Sequence, residues 1–316
     1  YAVNSTGSGA YSNEASAIPS GTPPVLTWTG AAGTAWNTTT QNWSSNGGAV
    51  AYVDGDSVTF PDTASTGSVV ISGTVSPSLI TFNNSALNYV VSGGIIAGSG
   101  TATKSGAGTV TFSTANTFSG NLNLNGGAVT VNSSGSVGTG ALLMAQGTTF
   151  NMNAPCSNTI QVDAEATATV NSGGLSDTFS GAFAGNSVTT LILSGAFSVN
   201  DQNTAQYNAM FGLIDITPGS NFQFVLPNGA FTYGSTNATF QIDGAMSSQG
   251  FVGTNGITLG GLTGAGSITG HANTPSGTDS YHIGANGLST TFSGTIANGA
   301  NGIVALDKDG GGTLIL

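Results

Sequence analysis

A chain of 316 residues with two lysines, Lys104 and Lys308, and no arginine, set against 13 acidic side chains, carries a net charge of −11 with its two histidines neutral. That balance excludes nucleic acid and other polyanions as partners, because nothing is present to neutralise phosphates, and it excludes guanidinium clamps on carboxylate substrates. Only 5% of residues are charged while 50 are glycine, so the polarity comes from Thr, Ser and Asn, residues that suit pleated sheet and turns.

All-β structure is therefore expected. The apolar fraction of 38% is low, yet strand alternation buries every second residue, which is enough to fill a narrow continuous core. No window approaches the ~20 apolar residues of a membrane-spanning helix. No signal peptide is evident, and a first residue of Tyr1 reads as a mature or trimmed product. Cys156 is the single cysteine, so no disulfide forms within the chain, and it is expected to be a small buried hydrophobe.

In chain order, residues 1–24 are small and polar and close on Pro23-Pro24, which reads as an arm or linker. Residues 25–97 hold Trp28, Trp36 and Trp43 and alternate with period 2 at Val25–Thr29, Ser57–Phe60, Ser68–Ile71, Leu79–Phe82 and Asn88–Val91. This aromatic-rich β segment is expected to cap a solenoid, with an aromatic sugar-binding platform as the alternative. From residue 98 to 316 short strands recur between Gly, Ser and Asn turns. Similar phrases return at Phe118-Ser119-Gly120, Phe179-Ser180-Gly181, Leu193-Ser194-Gly195 and Phe292-Ser293-Gly294, the mark of a repeat architecture. At roughly 20–25 residues per coil this region predicts about nine to eleven coils. Val110, Phe112, Leu122, Leu124, Val129 and Val131 are expected inward, and Thr111, Asn123 and Thr130 outward.

Thr103-Lys104-Ser105-Gly106-Ala107-Gly108-Thr109 and Leu306-Asp307-Lys308-Asp309-Gly310-Gly311-Gly312-Thr313 both join a lysine to a glycine-rich turn and a strand. The first copy, continued through Asn116–Gly120 and Asn125–Val129, resembles the autotransporter-associated β-strand repeat of large bacterial surface and secreted proteins. The segments Trp28–Gly30, Trp36–Thr38 and Tyr52–Phe60 are similar to the stretch that commonly precedes such repeats. What that resemblance implies is a right-handed parallel β-helix with an extracellular structural or adhesive role. Residues 141–250 depart from the pattern, where a distorted stretch or lateral insertion is expected. Nothing in the sequence resembles the long amphipathic strands of a translocator barrel.

Few residues have the chemistry of a site. His271 and His282 lie eleven apart with Asp279 between them, and both are expected as solvent-facing turn residues, since a metal or a hydrolytic triad would need further convergent groups. Asp54-Gly55-Asp56 is the best calcium candidate, although plain turn residues are the simpler reading. Asp163 and Glu165 would share one face of a strand and so suggest the carboxylate pair of a glycoside-cleaving enzyme, and Asp307 and Asp309 balance Lys308 in a turn. Asn-rich turns invite stacked side-chain amides on successive coils.

The reading assigns no catalytic, cofactor-binding or metal-ligating residue and no cofactor. It expects an elongated β-solenoid with an N-terminal Trp-rich segment, acting as a structural subunit of an extracellular or cell-surface fibre. The alternatives are a glycan-binding adhesin passenger or stalk and, less favoured by the scarcity of Lys, Arg and His, a polysaccharide-degrading β-helix enzyme. The apolar strand Leu314-Ile315-Leu316 and the arm at residues 1–24 are expected to join copies head to tail by β-augmentation.

Overall fold

The computed structural model describes residues 3–4, 7–8, 25–174, 178–200, 207, 209–225, 232–249 and 254–316. Most of the predicted arm lies outside the described residues; within it, Val3–Asn4 pairs antiparallel with Gly7–Ser8.

Among the described residues there is no helix, and the strands stack into a parallel β-solenoid. One ladder runs through Ser57–Pro61, Leu79–Asn83, Thr101–Ser105, Leu122–Leu124, Leu142–Met144 and Ile160–Val162, every step parallel. A second runs beside it through Ser68–Val75, Tyr89–Ile96, Thr109–Phe112, Ala128–Val131, Thr149–Met152 and Thr167–Ser172. Further along the chain a third ladder forms from Thr190–Asn200, Asn221–Val225, Ala245–Ser248, Ser267–Thr269 and Thr295–Ala297. The chain visits the faces in rotation. From Thr101 onward, coils open at Thr101, Leu122, Leu142, Ile160, Phe183, Ala209, Thr232, Thr254, Gly277 and Gly302, which is within the range that repeat length predicts. At ~4.8 Å per coil those ten coils stack to about 50 Å.

The ladder does not begin at residue 98. Leu79 pairs with both Ser57 and Thr101, and Val25–Trp28 pairs parallel with the strand that opens at Ser57. Residues 25–97 thus supply coils of the same solenoid, and the cap is confined to their first part. There the hairpin Trp43–Ser45 and Gly48–Val50 runs antiparallel beside Val25–Trp28. Trp28, Trp36 and Trp43 are 0% exposed, so they are core and offer no sugar platform. Trp43 packs edge-on to Trp28 and Trp36 at ring separations of 5.1 and 5.4 Å. Phe60 joins the same cluster and stacks on Phe82 at 4.5 Å, which carries the aromatic packing into the next coil. Such pairs add about 0.5–1.5 kcal/mol each beyond their buried area.

Strand parity follows the alternation in the sequence. Val110, Phe112, Leu122, Leu124, Val129 and Val131 are buried, while Thr111, Asn123 and Thr130 are partly exposed on the outer surface. The departure from the repeat at 141–250 leaves the ladder intact wherever it is described: Thr149, Thr169, Ile192 and Asp215 remain in register, and the coils lengthen between strands instead.

The Phe-Ser-Gly phrases have a steric cause. Phe118, Phe179 and Phe292 fill the core, and the glycine two residues later sits at a corner where coils touch backbone to backbone. A Cβ on Gly120 would lie 2.3 Å from the Gly100 carbonyl oxygen, on Gly140 2.2 Å from that of Gly120, and on Gly181 2.0 Å from that of Asn158. Gly195, in the fourth phrase, additionally has φ 82, which lets one strand turn from the second face to the third.

Backbone cannot yield at these corners without breaking the ladder. Gly120→Val should lower stability by at least about 2 kcal/mol, whereas Gly311→Ala, where an added Cβ meets nothing, should be within about 0.5 kcal/mol of the parent. Urea denaturation of both variants checks this; equal midpoints would contradict backbone contact at the Gly120 corner.

Candidate functional site

Of the carboxylates that the sequence nominates, Asp54 and Asp56 are occupied by local donors. Asp54 accepts hydrogen bonds from the Tyr52 hydroxyl at 3.0 Å and the Ser76 N–H at 2.8 Å, and Asp56 accepts the Val53 N–H at 2.9 Å. Burial first, and then the Asp54 carboxylate, push the Tyr52 phenol well above its ordinary range. These are turn-fixing roles. Among the described residues, no three His, Cys, Asp or Glu side chains converge as a metal site.

Asp163 and Glu165 do not share a strand face. The strand ends at Val162, both side chains are exposed in the turn that follows, and Glu165 takes φ 63. The left-handed residue bends the chain and sends the two carboxylates apart from a common pleat.

The histidines also differ from expectation, since neither is a solvent-facing turn residue. His271 is 0% exposed and paired with Asp279, itself 0% exposed, at 2.9 Å. His282 lies in the strand Gly277–Ile283 with its side chain 35% exposed, 3.6 Å from Asp307 and 3.8 Å from Asp309. Those two carboxylates therefore face an imidazole one coil away, while the Lys308 ammonium turns to the carbonyls of Asp309 and Gly310. Cys156 is buried, its thiol pushed up to about 11 by desolvation, and it donates to Asn158 Oδ1 at 3.6 Å.

Sequence reasoning missed three polar devices. Lys104 occupies an inward position between Phe82 and Leu124 and is 0% exposed. Its stem fills core, and its ammonium donates to the carbonyls of Ser105 and Gly106 at 2.7 Å, Gly126 at 3.2 Å and Asn84 at 3.4 Å, clasping three successive coils. The signal was the phrase shared with Lys308, which makes the same contacts to its own next two carbonyls. Asp62 accepts the N–H groups of Ser85, Ala86 and Leu87 from the neighbouring coil, each at 2.9 Å, and these bonds hold its carboxyl below the usual range. Asp215 has one buried oxygen, and burial followed by the Asp243 carboxylate raises its pKa.

The outer faces are rows of hydroxyls and amides. Thr27, Thr59, Thr81 and Thr103 stand in register on the first face. On the second, Asn151 donates to Thr130 Oγ1 at 3.1 Å, Asn171 to Asn151 Oδ1 at 3.4 Å and Ser194 to Asn171 Oδ1 at 3.1 Å, which is the stacking that the Asn-rich sequence suggests. In the last coils Ile303, Leu306, Ile315 and Leu316 are exposed, and a recess of about 370 Å³, with apolar side chains and exposed backbone polar groups, opens among Phe292, Ile296, Asn298, Val304, Leu306 and Leu316.

Burial pulls Lys104 down to about 8, from about 10.4 in an unfolded chain. Between those values the unfolded chain binds a proton that the folded chain does not, so this residue's contribution to stability rises with pH across that window. The stability of the parent relative to Lys104→Met should increase on the order of 2 kcal/mol between pH 7 and 10.5. Urea midpoints at three pH values measure it, and a constant difference would mean the ammonium is solvated.

No family model, curated protein or solved structure matches this chain.

Proposed function

We propose that the chain is a structural rod of an extracellular or cell-surface assembly, joined to other copies through its ends. The observation that carries this reading is one unbroken apolar column, from Leu26 and the tryptophans to Phe292, wrapped in an almost uncharged surface of hydroxyls and amides. A continuous parallel ladder resists bending and sets a distance, which is what a stalk or fibre subunit needs. The titratable groups fit that role, because Asp54, Asp56 and Asp62 fasten turns and coils.

Assembly is ascribed to the two ends because they differ. Aromatic rings and a hairpin stand at the first coils, whereas Leu306 and Leu316 line a recess in the coils farthest from them, with Ile315 exposed nearby. The N-terminal arm of one copy laid along the last coil of the next would be a heterologous contact, which need not close and therefore propagates. The resemblance to autotransporter-associated repeats supports a bacterial surface location. The rows of Thr and Asn on the outer faces favour a second reading, a stalk that also hydrogen-bonds glycans. Neither reading uses a catalytic group.

Negative-stain microscopy should show filaments of the parent chain, and either Ile315→Asp or deletion of residues 1–20 should leave folded single rods. Filaments that persist in both variants would overturn end-to-end assembly. Turnover of any acidic or neutral polysaccharide that depends on Asp163 or Glu165 would overturn the structural role itself.

A further inference from the structure

Phe211 is 52% exposed, whereas every other aromatic ring among the described residues is buried. It follows the strand Ala209–Met210, and its N–H donates to the Gly185 carbonyl at 3.0 Å, so its backbone is held to the preceding coil while its side chain continues the outward alternation of Ala209. On the same face Ala209 is in register with Ala184, and Ala184 with Gln161. These alanines are too short to cover the ring. They belong to a groove of about 400 Å³ whose lining includes Gln161, Ala164, Ala184, Asn186, Ala209 and Phe211, within the range of small-ligand clefts, roughly 300–1,000 Å³.

The polar side chains of this groove are amides with unused capacity. Asn186 Oδ1 accepts the Val188 N–H at 3.2 Å and the Thr189 hydroxyl at 2.8 Å, which fixes the side chain and leaves its Nδ2 without a partner among the described residues. The exposed Gln161 amide likewise makes no hydrogen bond among them. No charged side chain is in the lining among the described residues, and the exposed carboxylates Asp163 and Glu165 flank Ala164. A ligand matched to these groups has one flat apolar face, hydroxyls at its edge and no negative charge. A neutral pyranose has those features, because C–H bonds cover a face of the sugar ring and are drawn to the electron-rich face of an aromatic ring, while its hydroxyls donate to and accept from amides. An acidic sugar would instead meet the carboxylates of a chain with net charge −11.

We propose that Phe211, Gln161 and Asn186 form a binding site for a neutral glycan, with one pyranose laid on the Phe211 ring and hydroxyls bonded to the two amides. The proposal rests on the second reading above, a stalk that hydrogen-bonds glycans, and assigns that contact to one groove instead of the rows of Thr and Asn. Gln161 and Ala209 stand two coils apart, about 10 Å along the solenoid axis. That span exceeds a single sugar ring, so an oligosaccharide engages the site better than a monosaccharide.

Isothermal titration of the full chain with cellohexaose, laminarihexaose, mannohexaose and glucose, and with hexagalacturonate as the acidic counterpart, tests this. At least one neutral hexasaccharide should bind, more tightly than glucose, and hexagalacturonate should not. Phe211→Leu, which keeps an apolar side chain and removes the ring face, should weaken that binding by about tenfold or more, and Phe211→Trp should retain it. Gln161→Ala should weaken it as well, while Leu79→Ala, at an exposed position on a distant coil, should change nothing. Urea midpoints equal to the parent's confirm that these surface variants fold. Binding that survives Phe211→Leu would overturn this site and leave the glycan-binding reading standing, whereas no binding of any neutral oligosaccharide would overturn both. Tighter binding of hexagalacturonate would contradict a neutral ligand. A concentration-dependent dimer in sedimentation that is lost in Phe211→Leu would mark the ring as a contact between copies and overturn the proposal.

Discussion

Backbone-to-backbone stacking of each coil on the one before, in parallel register, is the constraint on which everything else in this molecule rests. It fixes glycine at corners such as Gly120, Gly140 and Gly181, where a Cβ would enter the preceding coil's carbonyl. It also accounts for the unusual composition. Residues in register stand ~4.8 Å apart, so like charges in one row repel by about 1 kcal/mol in water and several-fold more at a protein surface. A row of threonine or asparagine carries no such penalty, and the amides of Asn151 and Asn171 bond along it. The scarcity of Lys, Arg, Asp and Glu is thus a property of the architecture before it is a clue to any partner.

Ladders satisfy strands and leave corners short of partners, and the buried polar side chains gather there. Lys104 donates to carbonyls of three coils. Asn116 accepts the Ile96 N–H at 2.8 Å and donates to the Ser136 carbonyl at 2.6 Å, and Asn158 donates to the carbonyls of Gly138 and Gly140. Asp62 and His271–Asp279 act in the same way with carboxylate and imidazole. Each of these groups ties neighbouring coils where the sheet hydrogen bonds stop. For the buried members, Lys104, Asn116, Asn158 and the His271–Asp279 pair, removing one partner would leave a buried group unsatisfied, a cost of about 1–3 kcal/mol.

Local periodicity made the fold legible. Alternation in Thr109–Phe112 and Ala128–Val131 sets which side chains face the core, and the returning Phe-Ser-Gly phrase marks a corner in three of the coils. The start of the solenoid is marked by the even spacing of Ser57, Leu79 and Thr101, which is the repeat itself and lies within the tryptophan-rich segment's own stretch of chain. The polar interior was much less legible. Lys104 before a glycine turn looks like a surface residue, and its burial follows only from the pairing with Phe82 and Leu124. His271 and Asp279 meet across an eight-residue excursion that no pattern announces. Asp163 and Glu165 failed as a pair because two-residue spacing means a shared face only inside a strand, and the strand stops first.

The central claim is that one continuous parallel ladder runs from the aromatic cap through successive coils. Pulsed electron-electron double resonance would test it most directly, with one spin label at Thr59 and a second moved along the same outward row to Leu143, Gln161 and Ala184. Those positions lie four, five and six coils from Thr59, so backbone separations should grow in equal steps from about 19 to 24 to 29 Å. Distances that fail to increase with coil number, or that jump between Leu143 and Ala184, would contradict an unbroken solenoid.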